Sequence, residues 1–264
     1  MGGLSYQGNA TGVLYSFLGT VIQLQGKFNT NRAVFCFDSK KSKRKVSTPT
    51  YKLKRTKDKI KTPEEQARLW ELFSQIDGLR TRYLKQIGFR NILRQTGYEA
   101  DDLVASVCKN LPGADRAIVI SNDSDLLQLI NSRVNVYDPQ KQFLWTLKRF
   151  REQFGIRNPE DWAIVKAIAG CSSDEVKGIR GIGEKTAVQF LNLKLPVSSK
   201  KYQRIVSKEG IEIRKRNLPL VRLPFEGTKA FRLKKDQEQH WSEVLKELGI
   251  QTLSPDLEFR EKPK

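Results

Sequence analysis

The sequence predicts an α/β fold in which a parallel sheet is flanked by helices. Short apolar runs of strand length, such as Ala117–Ile120, alternate along the chain with longer segments that carry apolar residues at helical spacing. Alternation of this kind is typical of parallel strands joined by helical crossovers. With 264 residues and 38% hydrophobic content, the chain is long enough to bury a core.

Local patterns then place each element. Residues 11–24 have apolar positions at helical spacing, with Thr11 as the predicted cap. Thr62 followed by Pro63 is typical of a helix start, and we expect that helix to reach about Ile87. The predicted elements are helices at 11–24, 62–87, 147–154 and 241–248, and strands at 33–37, 117–120 and 134–137.

Composition restricts the class of protein and its partners. The chain has 48 Lys and Arg against 29 Asp and Glu, a net charge of +19, which indicates a polyanionic partner such as nucleic acid. No apolar run approaches the roughly 20 residues that span a bilayer, and no signal peptide is recognisable, so we expect a cytoplasmic protein without a membrane partner. The three cysteines have no metal-ribbon spacing and are predicted to be free thiols. The single histidine, His240, argues against histidine-dependent catalysis.

Acidic residues gather in two short motifs within this basic chain, at 97–103 and 121–127. The second motif follows a predicted buried strand, and a further acid, Asp38, follows the strand at 33–37. Ligands bind at the carboxyl ends of strands in open α/β sheets, so these acids predict a site for divalent cations. The alternative is structural, because acids also cap helices and stabilise their first turns. The candidate metal ligands are Asp38, Glu99, Asp101, Asp102, Asp123 and Asp125.

The segment between Lys40 and Lys61 is strongly basic, with a single acid, Asp58. Such a run is often only a solvated surface. Because it follows Asp38 directly, we expect a partly ordered basic segment that attracts a nucleic-acid strand to the metal site by counterion release. Tyr51 within it is predicted to be available for stacking on a base.

Glycines at 178, 181 and 183 mark a second informative stretch, between residues 170 and 190. Glycine lets the backbone approach a ligand closely, and the N–H groups of a helix that opens near Glu184 can hold a phosphate. A tight turn without a ligand is the alternative. The neighbouring Lys185, Thr186 and Asp174 favour phosphate binding, and the stretch looks like a helix-hairpin-helix.

These motifs together resemble the 5′ nuclease family, which includes flap endonucleases and 5′–3′ exonucleases of bacteriophages and the N-terminal domain of bacterial DNA polymerase I. The resemblance runs from about Gly3 to Leu223. It is carried by Val-Phe-Cys-Phe-Asp at 34–38, Tyr-Lys-Leu-Lys-Arg at 51–55, Tyr-Glu-Ala-Asp-Asp at 98–102, Asn-Asp-Ser-Asp-Leu-Leu-Gln-Leu at 122–129 and the glycine hairpin at 178–187.

The resemblance implies a PIN-like nuclease core, a helical helix-hairpin-helix subdomain and the roles of several residues. Lys52 and Arg55 are implied to contact the scissile phosphate. One or two Mg²⁺ or Mn²⁺ ions are implied, in a first cluster of Asp38, Glu99, Asp101, Asp102 and Asp123 and a second of Asp125 and Asp174. Nucleic-acid contacts are expected from Arg44, Tyr51, Gly178, Gly181, Gly183, Lys185 and Thr186, and a K⁺ contact from the carbonyls of Val176, Ile179 and Ile182.

The sequence departs from the family pattern at two places. The family begins with a strand followed by Asp-Gly, and residues 1–5 enter the pattern downstream of that strand and its aspartate. The family motif Gly-Asp-x-x-Asp-Asn reads Gly-Cys-Ser-Ser-Asp-Glu at 170–175, so a thiol, Cys171, replaces one acid. Thiols are poor ligands for Mg²⁺, which implies reduced or lost activity or a bias toward Mn²⁺.

We expect an α/β metal-site core at 1–145, with a basic arch at about 39–62, followed by a helical DNA-binding part at 146–264. The leading hypothesis is a monomeric structure-specific 5′ nuclease that cleaves DNA at a 5′ end, flap or branch, in a bacterial or phage-infected cell. Two alternatives stay open: an inactive relative that binds branched DNA, and a ribonuclease that removes RNA primers from RNA–DNA hybrids.

Overall fold

The computed structural model describes residues 4–53 and 62–254. These residues form two compact units that are interleaved along the chain. The first takes its described residues from Met1–Phe37, Lys59–Leu93 and Leu233–Lys264, and the second from Asp38–Asp58 and Arg94–Arg232. The predicted division at residue 145 stays a prediction, and the second unit contains residues from both predicted parts.

The first unit packs helices around a pair of very short parallel strands. The strand Phe35–Cys36 (β3) runs parallel to Ile92–Leu93 (β4), and a two-stranded hairpin, Ser5–Tyr6 (β1) with Asn9–Ala10 (β2), precedes the first helix. Its core joins aromatic and aliphatic side chains such as Leu18, Phe89 and Trp241. The helices are Gly12–Phe28 (α1), Pro63–Gly78 (α3), Leu84–Ile87 (α4) and Trp241–Glu247 (α11), with a π-turn at Leu79–Tyr83.

The helix caps show how local sequence sets these boundaries. Thr62 and Glu65 form a reciprocal capping box, with Glu65 N–H donating to Thr62 Oγ1 over 3.3 Å and Thr62 N–H donating to Glu65 Oε2 over 3.1 Å. The predicted helix start at Thr62 is therefore confirmed. Thr11 occupies the cap position of α1, but its side chain makes no capping hydrogen bond. Thr11 therefore marks the start of α1, but the predicted capping by its side chain is wrong.

The second unit is organised around a three-stranded sheet. The strands Ala117–Ile120 (β5) and Val134–Asp138 (β6) pair in parallel, and Phe143–Trp145 (β7) adds an antiparallel edge to β6. The predicted strands at 117–120 and 134–137 are confirmed, as is the parallel pairing. The described strands form four separate sheets instead of the predicted continuous parallel sheet, since the parallel pair β3–β4 is not hydrogen-bonded to the parallel pair β5–β6.

Helices surround this sheet and bury a core that includes Leu103, Phe150 and Trp162. A small antiparallel pair, Gly170–Cys171 (β8) with Val176–Lys177 (β9), leads into the glycine hairpin. The predicted helix at 147–154 is confirmed. The helices of this unit are Lys43–Ser47 (α2), Ala100–Lys109 (α5), Leu147–Phe154 (α6), Trp162–Ala169 (α7), Glu184–Leu191 (α8), Lys200–Val206 (α9) and Lys208–Val221 (α10), with 3₁₀ turns at Ser124–Leu129 and Pro159–Asp161.

None of the helices within the described ranges has the length and apolar content required to cross a membrane.

Candidate active site

The start of α5 carries the first acidic motif, and each of its acids has a different environment. Glu99 is the N-cap of the helix, and Asp102 at the third position accepts a hydrogen bond from the Glu99 N–H over 3.1 Å. Asp38 approaches the same turn, because its Oδ1 accepts a hydrogen bond from the Ala100 N–H over 2.7 Å. A carboxylate at this position is stabilised by the unpaired N–H groups of a helix start.

Asp101 shows how the acids of the first cluster influence one another. It is half-buried, whereas Asp38 and Asp123 are exposed. Burial, the largest cause, and the negative charges of Asp123 and then Asp38 together raise the pKa of Asp101 to about 7. Asp38, Asp101 and Asp123, from three separate parts of the sequence, therefore interact electrostatically, although among the described residues only Asp125, Cys171 and Asp174 have ligand atoms within 4.8 Å of one another.

Asp123 is positioned by the turn that follows β5. Its Oδ1 accepts a hydrogen bond from the Asp125 N–H over 2.8 Å, and its own N–H donates to Ser121 Oγ over 3.0 Å. This arrangement caps the 3₁₀ turn at Ser124–Leu129. The capping role and a metal-binding role are compatible, since a carboxylate offers about four lone-pair positions.

Asp102 does not fit the predicted role of metal ligand. It is fully buried, and Arg44 binds it through two hydrogen bonds of 2.6 and 2.7 Å. Asp102 Oδ1 also accepts the Phe225 N–H over 2.8 Å. Both oxygens are thus occupied by donors, and the prediction for Asp102 is corrected to a structural role.

Arg44 and Tyr51 also differ from their predicted roles in the basic segment. Arg44 is 3% exposed, since its guanidinium binds Asp102 and donates to the Leu220 carbonyl over 2.9 Å. Tyr51 is likewise 3% exposed, so its ring is not available for stacking on a base. Both side chains are buried and bond to other parts of the protein, so neither is placed to contact nucleic acid.

Tyr51 and Lys52 connect the two acidic clusters. The Tyr51 hydroxyl lies 3.1 Å from Glu99 Oε2 and 3.3 Å from Asp174 Oδ2, and its pKa is raised by burial and by these two negative charges. Lys52 Nζ lies 2.7 Å from Glu99 Oε2 and 3.7 Å from Asp174 Oδ2. Burial alone raises the pKa of Glu99, but the ammonium of Lys52 and the guanidinium of Arg44 outweigh it, so the net shift is downward. Arg55, the other predicted phosphate contact, lies outside the described residues.

The second cluster consists of Asp125, Cys171 and Asp174, whose ligand atoms all lie within 4.8 Å of one another. Lys166 Nζ lies 2.9 Å from Asp125 Oδ1 and 2.7 Å from Glu184 Oε1. Burial raises the pKa of Asp125 despite this ammonium. The donor set fits a divalent cation, because it offers two carboxylates and a thiol within one coordination sphere.

The glycines of the hairpin divide into two kinds. A Cβ on Gly178 would collide with the carbonyl oxygen of Ala169, so the close approach at this glycine is to the protein's own backbone. Gly183 is exposed, with no atom within 4 Å of a Cβ built there, and Gly181 is exposed at a φ of +76°. The prediction that Gly178 admits a ligand is therefore corrected, whereas Gly181 and Gly183 are open to solvent.

The helix after this turn presents Lys185 to solvent but buries Thr186, which is 8% exposed. The predicted nucleic-acid contact of the Thr186 side chain is corrected accordingly. The hairpin is anchored by the Ile179 N–H, which donates to the Ile168 carbonyl over 2.8 Å, and the Ile179 carbonyl accepts from the Ile182 N–H over 3.0 Å. The K⁺ contact through the carbonyls of Val176, Ile179 and Ile182 stays a prediction.

With this geometry in place, comparison with known proteins identifies the family. A family model described as the 5′–3′ exonuclease, N-terminal resolvase-like domain, matches residues 4–155. The chain belongs to this 5′–3′ exonuclease family. The matched region includes both acidic motifs and the basic segment.

Curated relatives include 5′–3′ exonucleases of two bacteria. That of Buchnera aphidicola subsp. Schizaphis graminum is 31% identical over 197 residues, which are 72% of this chain and 64% of the relative. That of Mycoplasmopsis pulmonis is 32% identical over 190 residues, which are 71% of this chain and 59% of the relative. The chain thus spans about three fifths of the length of each of these relatives.

Solved structures of the family share the fold. A crystal structure of a bacteriophage T5 protein co-crystallised with metal ions has a TM-score of 0.69 at 26% identity, and the match covers 81% of this chain and 84% of that one. A bacteriophage T5 flap endonuclease in a pseudo-enzyme-product complex with DNA and metal ions has a TM-score of 0.66 at 27% identity, with coverages of 80% and 81%. The predicted α/β fold of a 5′ nuclease is confirmed.

Sequence reasoning about this exonuclease family member missed Lys166. The signal was present, because Lys166 is the only charged residue in the helix Trp162–Ala169 and a lysine buried in an apolar helix requires an acidic partner. Its partners, Asp125 and Glu184, are distant in sequence, so the pairing becomes visible only in the folded chain.

Proposed function

We propose that this chain is a structure-specific 5′ nuclease that hydrolyses DNA phosphodiesters with the help of divalent metal ions. The observation that carries the proposal is the meeting of separate acidic motifs: Asp38 accepts the Ala100 N–H beside Asp101 over 2.7 Å, and the charges of Asp123 and Asp38 both act on the Asp101 carboxyl. A protein of net charge +19 has no structural need to crowd three acids, and a cation between them relieves their repulsion.

Asp38, Asp101 and Asp123 would hold the first ion, with Glu99 beside them, and Asp125, Cys171 and Asp174 the second. When bound, such ions activate the attacking water and neutralise charge that develops on the phosphate. Mg²⁺ and Mn²⁺ are the candidates for the first cluster, since its ligands are hard carboxylate oxygens.

Lys52 is the described cation best placed to assist at the phosphate. Its ammonium lies between Glu99 and Asp174 and therefore between the two clusters. A fixed positive charge at this position stabilises the additional negative charge of the transition state. Arg55 is proposed for the same task on the basis of the sequence motif alone.

The hairpin and the basic composition support binding of a branched DNA substrate through its backbone. Gly181, Gly183 and Lys185 are exposed at the start of α8, where free N–H groups can receive a phosphate oxygen. Contacts of this kind read the shape of DNA and carry no sequence information. The names of the similar 5′–3′ exonucleases and of the T5 flap endonuclease complex with DNA support DNA with a 5′ end or flap as the proposed substrate.

The test is cleavage of a 5′-labelled flap in Mg²⁺ and in Mn²⁺ by the wild type and by Asp123→Ala. We expect the variant to lose at least about 100-fold in single-turnover rate, because the first cluster loses a ligand. Glu160→Gln, an exposed acid on a 3₁₀ turn of the same unit, is the matched control and should cleave at the wild-type rate. Equal rates for Asp123→Ala and the control would refute the metal assignment.

A second candidate is an inactive relative that binds branched DNA. It is favoured by one observation, the pairing of the second-cluster carboxylates with the ammonium groups of Lys166 and Lys52. This candidate predicts flap binding in EDTA and no product in either metal at high protein concentration. Any turnover that depends on Asp123 decides against it.

A further inference from the structure

A buried lysine lies between the second cluster and the start of α8, the helix that follows the glycine hairpin. Lys166 is 5% exposed, and its ammonium lies 2.9 Å from Asp125 Oδ1, 2.7 Å from Glu184 Oε1 and 2.8 Å from Ser124 Oγ. We propose that Lys166 is a positioning residue for DNA, which holds the Glu184 carboxylate away from the first N–H groups of α8 and keeps them free for a phosphate of the duplex. The inference deepens the proposed function and rests on its contact between the hairpin and DNA.

The start of α8 has N–H groups that a phosphate could use. The Thr186 and Ala187 N–H groups both donate to the Gly183 carbonyl over 3.0 Å. Those of Glu184 and Lys185 have no acceptor among the described residues. Unpaired N–H groups at a helix start attract anions, and an acid in the first turn is well placed to supply one. A phosphate would therefore compete with the Glu184 carboxylate for these groups.

Lys166 removes this competition because it binds the Glu184 carboxylate itself. Within the described part of the chain, that carboxylate pairs with Lys166, and no N–H group of its own helix donates to it. Burial, the largest single influence, lowers the pKa of Lys166, but the charges and hydrogen bonds of Asp125 and Glu184 outweigh it, so the net shift is upward. The ammonium therefore stays charged and holds both carboxylates.

The helix that carries Lys166 fixes the position of its ammonium. This helix, α7, packs into the core of the second unit, where Val165 and Ile168 are fully buried. Asp125, which is 9% exposed, binds the ammonium from the other side. Glu184, in contrast, is exposed and free to change its rotamer. The ion pair therefore draws the Glu184 carboxylate toward Lys166, and Lys166 does not follow Glu184 into solvent.

An ion pair that serves only stability predicts a different response to substitution. If Lys166 restrains Glu184, then removal of the lysine lowers DNA affinity only while the Glu184 carboxylate is present to occupy the helix start. If the pair only stabilises the fold, or if Lys166 acts on DNA through its charge alone, the two substitutions affect DNA binding independently of each other. Rescue by removal of the Glu184 carboxylate separates these explanations.

The experiment is a double-mutant cycle of Lys166→Met and Glu184→Gln in the full chain, with duplex affinity measured by fluorescence anisotropy in EDTA. We expect Lys166→Met to lose about tenfold in affinity, the scale of a charge interaction at a helix start. The same lysine substitution should cost less than about twofold when Glu184→Gln is already present. Glu209→Gln is the matched control, since Glu209 is an exposed acid in the first turn of α10, and it should leave the loss unchanged.

Equal losses with and without Glu184→Gln, or wild-type affinity in Lys166→Met, overturn the proposal. Rescue of the same size by Glu209→Gln overturns it as well, because any removed acid would then suffice. Lys166→Met leaves Asp125 buried without its cation, which can destabilise the fold. The cycle is therefore repeated with Asp125→Asn in every variant, which removes that charge, and thermal unfolding confirms that each protein is folded. The outcomes in this second cycle have the same meaning.

These titrations require no cleavage, so they separate the inference from the proposed function. Flap cleavage by the wild type, with independent effects of the two substitutions on duplex affinity, leaves the nuclease proposal standing and removes the inference. Rescue by Glu184→Gln, with no cleavage by the wild type in Mg²⁺ or Mn²⁺, supports the role of Lys166 in DNA binding and refutes the nuclease.

Discussion

Asp101 and Asp102 of the first acidic motif are adjacent in sequence but have different environments in the folded protein. Asp101 is half-buried next to other acids, and Asp102 is fully buried against Arg44. The first arrangement stores electrostatic repulsion that a cation relieves, and the second is neutralised within the protein. The two aspartates should therefore respond to substitution in different experiments.

Asp101→Asn should alter how the stability of the metal-free protein depends on pH. The pKa of Asp101 is raised to about 7 in the folded chain from an ordinary 3.8, so the folded state binds one more proton than the unfolded state between these values. Stability therefore decreases as pH rises from about 4 to 7. We expect the melting temperature of Asp101→Asn, relative to that of wild type, to be higher at pH 8 than at pH 5.5, measured by thermal unfolding in EDTA.

The proton that the Asp101 carboxyl binds below about pH 7 competes with a divalent cation for that carboxylate. Below about pH 7 the Mn²⁺ affinity of the wild type should fall about tenfold per pH unit, because one proton must leave for the metal to bind.

A difference in melting temperature between Asp101→Asn and wild type that is the same at pH 5.5 and 8 would show that the carboxyl titrates normally.

Asp102→Ala should destabilise the fold and not act through the metal. Removal of this carboxylate leaves the Arg44 guanidinium, 3% exposed, without its partner. Breaking a buried ion pair in this way costs about 3–5 kcal/mol in the free energy of unfolding. Urea unfolding in EDTA measures the loss, and the double variant Arg44→Met with Asp102→Leu should recover most of it. A loss below about 1 kcal/mol in Asp102→Ala would contradict a structural role.

At the scale of elements, the glycine hairpin between β9 and α8 combines a folding requirement with a proposed binding surface. Gly178 packs against the backbone of Ala169, and Gly183 is the exposed N-cap of α8. The two glycines look equivalent in the sequence motif. Their surroundings in the folded chain show that only one of them leaves space for a ligand.

Gly178→Ala and Gly183→Ala form a matched pair of variants that distinguishes the folding requirement at Gly178 from the proposed DNA contact at Gly183. An added methyl at 178 would collide with the Ala169 carbonyl, so this variant should lose about 1–3 kcal/mol of unfolding free energy. An added methyl at 183 meets no protein atom within 4 Å. Gly183→Ala should lose no more than about 1 kcal/mol, the cost of alanine at an N-cap, and bind duplex DNA less tightly, because the methyl occupies the approach to the free N–H groups.

The measurements are thermal unfolding and fluorescence anisotropy with a labelled duplex. Wild-type DNA affinity in Gly183→Ala would show that the turn does not contact the backbone of DNA. A loss of stability in Gly178→Ala no larger than that in Gly183→Ala would show that the chain relaxes around the added methyl.

At the scale of the whole molecule, the excess of basic residues sets how DNA binding responds to salt. A net charge of +19 releases counterions from DNA on binding, and each phosphate contact contributes about −0.9 to the slope of log K against log salt concentration. We expect flap affinity to fall by about 10³-fold or more between 50 and 200 mM salt, as for proteins with six to ten phosphate contacts. The measurement is anisotropy in EDTA, so that cleavage does not interfere.

Lys185→Ala gives this prediction a local control. Removal of one exposed ammonium at the start of α8 should reduce the magnitude of the slope by about 1. An affinity that is nearly independent of salt would mean that the positive charge of the chain does not face its substrate.

Much of the architecture was readable from local patterns. The helix at 147–154, the strands at 117–120 and 134–137 and the capped start at Thr62 depend on periodicity and capping chemistry within a few residues, and each appears in the structure. The acidic motifs were recognisable for the same reason, since their spacing is local. What local patterns did not predict was which acids would be neutralised by internal partners.

The sequence by itself determined the α/β class, the family resemblance and the set of acids that are proposed to hold metal. Only the tertiary structure decided that Asp102, Arg44 and Tyr51 are buried, that Gly178 faces its own backbone and that Lys166 reaches the second cluster. The physical reason is that secondary structure and motifs arise from neighbours along the chain. Burial and charge pairing, in contrast, depend on partners such as Arg44 and Asp102 or Lys166 and Asp125, about 40 to 60 residues apart, which meet only when the chain folds.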